Sequence, residues 1–109
     1  MEMNTALEAF YALSQETRLK VFRTLIEYGE DGTTPTVIAE RLKVPVNTLS
    51  FHLSHLNNAK LVSFKREGRS LIYVANCPLV EELITFMKQN CCALSAADCC
   101  TPKTKRRKK

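Results

Sequence analysis

All five cysteines of this 109-residue chain fall in its last third, at Cys77, Cys91, Cys92, Cys99 and Cys100. Four of them form two adjacent pairs separated by the six residues 93–98. Thiolates are soft donors, so four within ten residues suit a thiophilic metal, a metalloid or thiol–disulfide chemistry. A secreted disulfide framework fits poorly, because the count is odd and Met1-Glu2-Met3-Asn4 opens no basic segment followed by an apolar one. The chain is therefore expected in a reducing cytoplasm. Cys77, alone before Pro78, is expected to act as a small buried hydrophobe.

Charge is the second uneven property. The formal net charge is +5, but residues 102–109 alone carry six Lys/Arg and no acid. The other 101 residues sum to −1, and within them residues 41–69 hold six basic side chains against one acidic. A basic segment inside a nearly neutral body is a candidate for polyanion contact, while a terminal basic run reads as a solvated, disordered tail. Enzymatic chemistry is not expected. The chain has no phosphate-binding glycine loop, dinucleotide fingerprint, Ser-His-Asp set or Cys-x-x-Cys motif. Nor does any stretch approach the roughly 18–20 apolar residues of a membrane helix, so no membrane partner is expected.

The elements that must position these groups follow from periodicity and punctuation. Thr5 to Leu13 reads as a helix with Leu7, Phe10 and Tyr11 on one stripe, and Ser14 offers an N-cap to the next. That next helix, Gln15 to Tyr28, sets Leu19, Phe22, Leu25 and Ile26 at steps of three and four and meets a stop at Gly29. Thr34-Pro35 reads as an N-cap followed by proline at the first helical position, and this third helix ends near Leu42. A fourth helix starts after Pro45, capped near Asn47, and runs to about Asn58 or Ala59. Its Leu49, Leu53 and Leu56 form a narrow buried stripe, leaving an opposite face that is polar except for Phe51. Leu61 to Arg66 and Ser70 to Val74 are rich in β-branched and aromatic residues and predict a hairpin turning at Gly68. A fifth helix, Pro78 to Gln89, places Leu79, Leu83, Phe86 and Met87 on one face.

The expected fold is mainly α with a small β-hairpin, a winged helix-turn-helix in the order α1-α2-α3-α4-β1-β2-α5. In such a fold one helix enters the major groove of double-stranded DNA, about 12 Å wide, while the hairpin reaches the flanking backbone or minor groove. The candidate DNA-binding residues are Asn47, Thr48, Ser50, Phe51, Ser54 and His55 on the fourth helix, with Lys65, Arg66 and Arg69 on the hairpin. Amide, hydroxyl and imidazole groups suit base edges, and Phe51 suits a thymine methyl. Lys43 and the hairpin cations suit phosphates. His52 flanks the leucine stripe and reads as structural or as a backbone contact.

At these residues the chain resembles the ArsR/SmtB metalloregulatory repressors. The resemblance rests on Leu13-Ser-Gln-Glu-Thr-Arg-Leu-Lys-Val-Phe22, on Leu49-Ser-Phe-His-Leu-Ser-His-Leu56, on Ala59-Lys-Leu-Val62, and on Lys65-Arg-Glu-Gly-Arg69 with Tyr73. It spans roughly residues 5–90. It implies a transcriptional repressor that forms a homodimer through its first and last helices, binds an imperfect palindromic operator and leaves it when an inducer binds. Two known inducer sites of the family are missing. Thr34-Pro35-Thr36 stands where many arsenic and cadmium sensors carry Cys-x-Cys, and both histidines, His52 and His55, lie outside the last helix where zinc sensors place theirs. What remains, Asn90-Cys91-Cys92 to Asp98-Cys99-Cys100, is similar to the C-terminal arsenic site of one subgroup. That likeness implies As(III) as inducer on three thiolates, Cys91, Cys92 and Cys99, with Cys100 an alternate third ligand.

Two other chemistries stay open on the same residues. Four thiolates also suit zinc or cadmium, and the two pairs suit a switch driven by oxidant or reactive sulfur. The expected organisation is residues 1–92 as a DNA-binding and dimerisation domain, 93–101 as a cysteine-bearing inducer loop and 102–109 as a disordered basic tail.

Overall fold

The computed structural model describes residues 1–96. Cys99, Cys100, the end of the expected inducer loop and the basic tail therefore lie outside the described residues. Along the chain come α1 (Met3–Leu13), α2 (Glu16–Tyr28), a 3-10 turn (Gly29–Asp31), α3 (Pro35–Leu42), α4 (Val46–Asn58), β1 (Val62–Glu67), β2 (Ser70–Ala75) and α5 (Cys77–Met87). This is the winged helix-turn-helix order expected from the sequence.

Local chemistry explains most helix ends, with some changes of role. Thr34 accepts the Val37 amide at 3.4 Å and Pro35 occupies the first turn of α3, as its sequence predicts. Ser14 does not cap α2. It closes α1, its hydroxyl donating to the Tyr11 carbonyl at 2.7 Å, and the Gln15 side chain instead accepts the Arg18 amide at 2.8 Å. Pro45, not Asn47, is the N-cap of α4 and brings no side-chain acceptor. Asn76 accepts the Leu79 amide and starts α5 one residue early, at Cys77, which is exposed rather than buried. Cys77 borders an open cleft with Leu25 and Ile26 of α2 and Val74 of β2, not the enclosed core.

The core sits where α2, α3 and α4 meet, with Val21, Leu25, Ile38, Leu49, Leu53, Leu56 and Leu61 fully enclosed. The leucine stripe of α4 is buried as its spacing predicts. The stripes expected for α1 and α2 are shifted. In α1 the inward residues are Ala6, Ala9 and Ala12, while Leu7 and Tyr11 are 55% and 69% exposed. Because α1 is apolar around most of its circumference, periodicity could not choose a face; three alanines let its backbone approach the core closely. In α2 the buried set is Arg18, Val21, Phe22, Thr24 and Leu25, and Leu19 and Ile26 face outward.

The hairpin pairs Val62 with Ala75 through Glu67 with Ser70, leaving the two-residue turn Gly68-Arg69. Gly68 has φ +62° and Arg69 does not take a positive φ, the pattern of a turn with glycine at its first central position. On its other edge β2 is held by a single bridge, in which Thr33 and Tyr73 exchange amide-to-carbonyl bonds of 3.1 and 2.8 Å. Gly32 makes this possible: its φ is +68°, and a Cβ there would strike the Tyr73 carbonyl oxygen and the side chains of Ile72 and Val74. Gly32→Ala should therefore destabilise the fold by about 1–3 kcal/mol or more in urea unfolding, since backbone must move. Gly29→Ala, at φ +61° and ψ −144° with open space around it, isolates the conformational penalty alone, on the order of 1–3 kcal/mol, and Gly32→Ala should lose measurably more than it does. Equal losses in the two variants would show that the wing is not anchored through Gly32.

Candidate nucleic-acid interface and thiol pair

Burying Leu49, His52, Leu53 and Leu56 turns the other side of α4 to solvent. Asn47, Thr48, Ser50, Phe51 and Ser54 all lie exposed, with Phe51 61% accessible. Phe51 is held edge-on to His55, ring centroids 4.7 Å apart, and to His52 at 5.9 Å. His55 differs from the rest of the expected reading set. It is half-buried in a cleft of about 200 Å³ against α1, lined also by Glu8, Tyr11, Ala12, Asn58 and Ala59. Its ring can support Phe51 and meet α1, but it is not on the open face.

Lys65, Arg66 and Arg69 are exposed along the wing. They do not form one cluster, because side chains alternate across a strand and Lys65 and Arg66 point to opposite faces of the ribbon. Lys65 shares its face with Glu67 and pairs with it at 3.3 Å. Arg66 and Arg69 make no ion pair among the described residues. Phe64 stacks across the hairpin on Tyr73, centroids 5.2 Å apart, and stiffens the ribbon that carries these cations.

Sequence reasoning missed the polar group beneath the recognition helix. Arg18 is buried in α2, where its Nε donates to the Ala12 carbonyl at 2.7 Å and its guanidinium lies 6.0 Å from the Tyr11 ring centroid. Its place at steps of three, four and seven before Val21, Phe22 and Leu25 was the available signal. His52, only 8% exposed, is packed over the same region with Nδ1 lacking a hydrogen-bond partner. Desolvation, then the charges of Arg18 and His55, hold its imidazole below the ordinary 6.5 and so favour the neutral form.

At the far end of the chain Cys91 and Cys92 follow α5 in a series of tight turns. Cys91 N donates to Lys88 O at 2.8 Å, and Ala93 N to Asn90 O at 3.0 Å. Asn90 and Cys92 both take left-handed backbone, φ 62° and 61°. The two sulfur atoms lie 3.4 Å apart. Among the described residues no group of three or more His, Cys, Asp or Glu side chains is placed to hold a metal ion. No described helix is long and apolar enough to cross a membrane.

A polar-faced helix seated on a three-helix core beside a cationic hairpin defines a winged helix-turn-helix DNA-binding protein. A helix-turn-helix domain model matches residues 13–63. The chain is 34% identical over 101 residues to a probable mercury resistance operon repressor of Streptomyces lividans, covering 90% of this chain and 77% of that protein. It is 32% identical over 78 residues to the transcriptional repressor SdpR of Bacillus subtilis, covering 72% and 83%. An ArsR-like transcriptional regulator from Rhodococcus superposes with TM-score 0.71 at 26% identity, over 79% of this chain and 78% of that one. The chain belongs to the ArsR-type transcriptional repressors, and is a DNA-binding regulator rather than an enzyme.

Two outcomes follow from this geometry. His52 binds fewer protons folded than unfolded, so stability should be unaffected by it above pH 6.5 and should fall as pH drops below 6.5 towards its lowered folded value. Urea midpoints measured from pH 7.5 down to 5 should show this decline, and His52→Gln should flatten it. For the wing, Arg66→Ala should weaken binding to all duplex sequences alike and reduce the slope of log K against log salt by about one. A sequence-selective loss would instead make Arg66 a base reader.

Proposed function

We propose that this chain is an operator-bound homodimeric repressor that leaves DNA when As(III) binds its C-terminal thiolates. The observation that carries the reading is the juxtaposition of Cys91 and Cys92 at the end of α5, sulfurs 3.4 Å apart. A trivalent arsenic centre forms three bonds in a trigonal pyramid with angles near a right angle, which holds two ligand sulfurs at about contact distance. A linear two-thiolate centre needs its sulfurs on opposite sides of the metal. Cys91 and Cys92 supply two ligands, and Cys99 is the third, with Cys100 as alternate. Antimony(III) and organic arsenicals have the same thiol preference.

Dimerisation fits the apolar residues that the single chain leaves outside. Leu7, Phe10 and Tyr11 on α1 and Ile84 and Met87 on α5 are exposed, although a solvated helix would carry polar residues there. A two-fold pairing through these helices covers them and sets two copies of α4 toward successive major grooves of a palindromic operator. The thiol pair then sits at the end of an interface helix, where ordering it shifts one subunit against the other. A coupling free energy of about 1–3 kcal/mol changes operator affinity about 5–150-fold.

The mercury resistance repressor among its relatives supplies a second inducer to test, since Hg(II) is also thiophilic. Fluorescence anisotropy of reduced protein on DNA upstream of its own coding sequence, titrated anaerobically with arsenite, should show release. Parallel titrations with Hg(II), cadmium, zinc and oxidant separate the competing chemistries. Cys92→Ser should bind operator normally and stay bound in arsenite. Normal release of that variant would remove the thiol pair as the site, and release by oxidant alone would replace metalloid binding with thiol redox sensing.

A further inference from the structure

A cleft of about 300 Å³ lies where the starts of α3 and α4 meet the tip of the wing. Its polar lining comes from three elements: Thr36 of α3, Ser50 of α4, and Arg69 with Ser70 at the hairpin turn. Val46 and Leu71 form apolar walls, and among the described residues no carboxylate lines it. Arg69 makes no ion pair among the described residues, whereas its neighbour Lys65 is tied to Glu67. Thr34 also borders the cleft, its Oγ1 accepting from the Val37 amide. One cation and three hydroxyls from different directions suit an anion whose charge is spread over several oxygens. The start of α4 adds to this, because Pro45 leaves its first amides without a side-chain cap.

The cleft also has the right place. With α4 in the major groove and the wing on the adjoining groove, the strand that separates those grooves passes between them. We propose that the cleft holds one backbone phosphodiester of that strand, with Arg69 as its charge partner and Thr36, Ser50 and Ser70 as hydroxyl donors. The assignment rests on the DNA-binding reading and deepens it. Ser50 becomes a backbone contact, and Thr36 and Ser70 become positioning residues. One phosphate then ties the wing to the start of the recognition helix, so wing and helix dock as a unit.

The test is a methylphosphonate scan of a footprinted duplex from the DNA upstream of the coding sequence, one neutralised phosphate at a time. For the wild-type protein, neutralising the clamped phosphate should cost about tenfold in affinity. Arg69→Ala and the Thr36→Val/Ser70→Ala double variant should each lose about tenfold on native DNA and become insensitive to neutralisation at that same position, while keeping their sensitivity elsewhere. Circular dichroism melting checks that both variants remain folded. Insensitivity at two different positions, or full sensitivity everywhere, would overturn the clamp while leaving DNA binding intact. Saturable millimolar binding of inorganic phosphate without DNA, abolished in both variants, would replace the phosphodiester with a soluble ligand. Failure of the wild-type protein to bind any duplex would overturn the DNA reading and the clamp with it.

Discussion

Leu49, Leu53 and Leu56 lose essentially all contact with water along one side of α4, and that burial decides where the rest of the helix points. Each enclosed leucine contributes on the order of 1.5–3 kcal/mol, so rotating the helix to hide its polar side would forfeit most of what holds it in place. Asn47, Thr48, Ser50, Phe51 and Ser54 are exposed as a consequence of this packing. The wing depends on the same core. β1 leaves directly from Leu61 and Val62, both buried, and β2 returns to the Thr33 bridge beneath the start of α3. The recognition helix and the hairpin are thus referred to one rigid base, which is what two-point contact with a duplex requires.

Beneath that base lies a polar junction that a purely apolar core would lack. Arg18 fastens α2 to the end of α1 through the Ala12 carbonyl, and His52 brings α4 over it as a neutral imidazole. A second positive charge there would sit in a poorly solvated space beside the guanidinium. The junction joins the helix whose large apolar residues face outward to the helix whose polar residues face outward. Ala12, Arg18 and the cleft that holds His55 are where α1 meets the packing beneath α4.

The thiol pair sits at the other end of the same logic. Leu79 and Leu83 root α5 in the core, while Ile84 and Met87 stay outside and Cys91 and Cys92 follow in tight turns. Left-handed backbone is readily taken by Asn90 but costly at Cys92, and it accompanies the convergence of two consecutive side chains. Ligand bonds to both sulfurs would act on a segment already committed to a curled path.

Several features were legible in the residue order because each is local. The spacing of Leu49, Leu53 and Leu56, the Thr34-Pro35 start of α3, the turn at Gly68 and the adjacency of Cys91 and Cys92 all act within a few residues. Tertiary structure decided the rest. Periodicity picks a helix face only when the opposite face is polar, so it set Leu7, Phe10 and Tyr11 on one stripe of core or dimer-interface residues without separating the two, whereas in the folded chain the alanines pack inward because only small side chains allow close approach. The bridge from Thr33 to Tyr73, the close passage at Gly32 and the turning of His55 toward α1 join residues far apart in the chain. No short stretch of sequence encodes such contacts, since they exist only once separately formed elements have packed together.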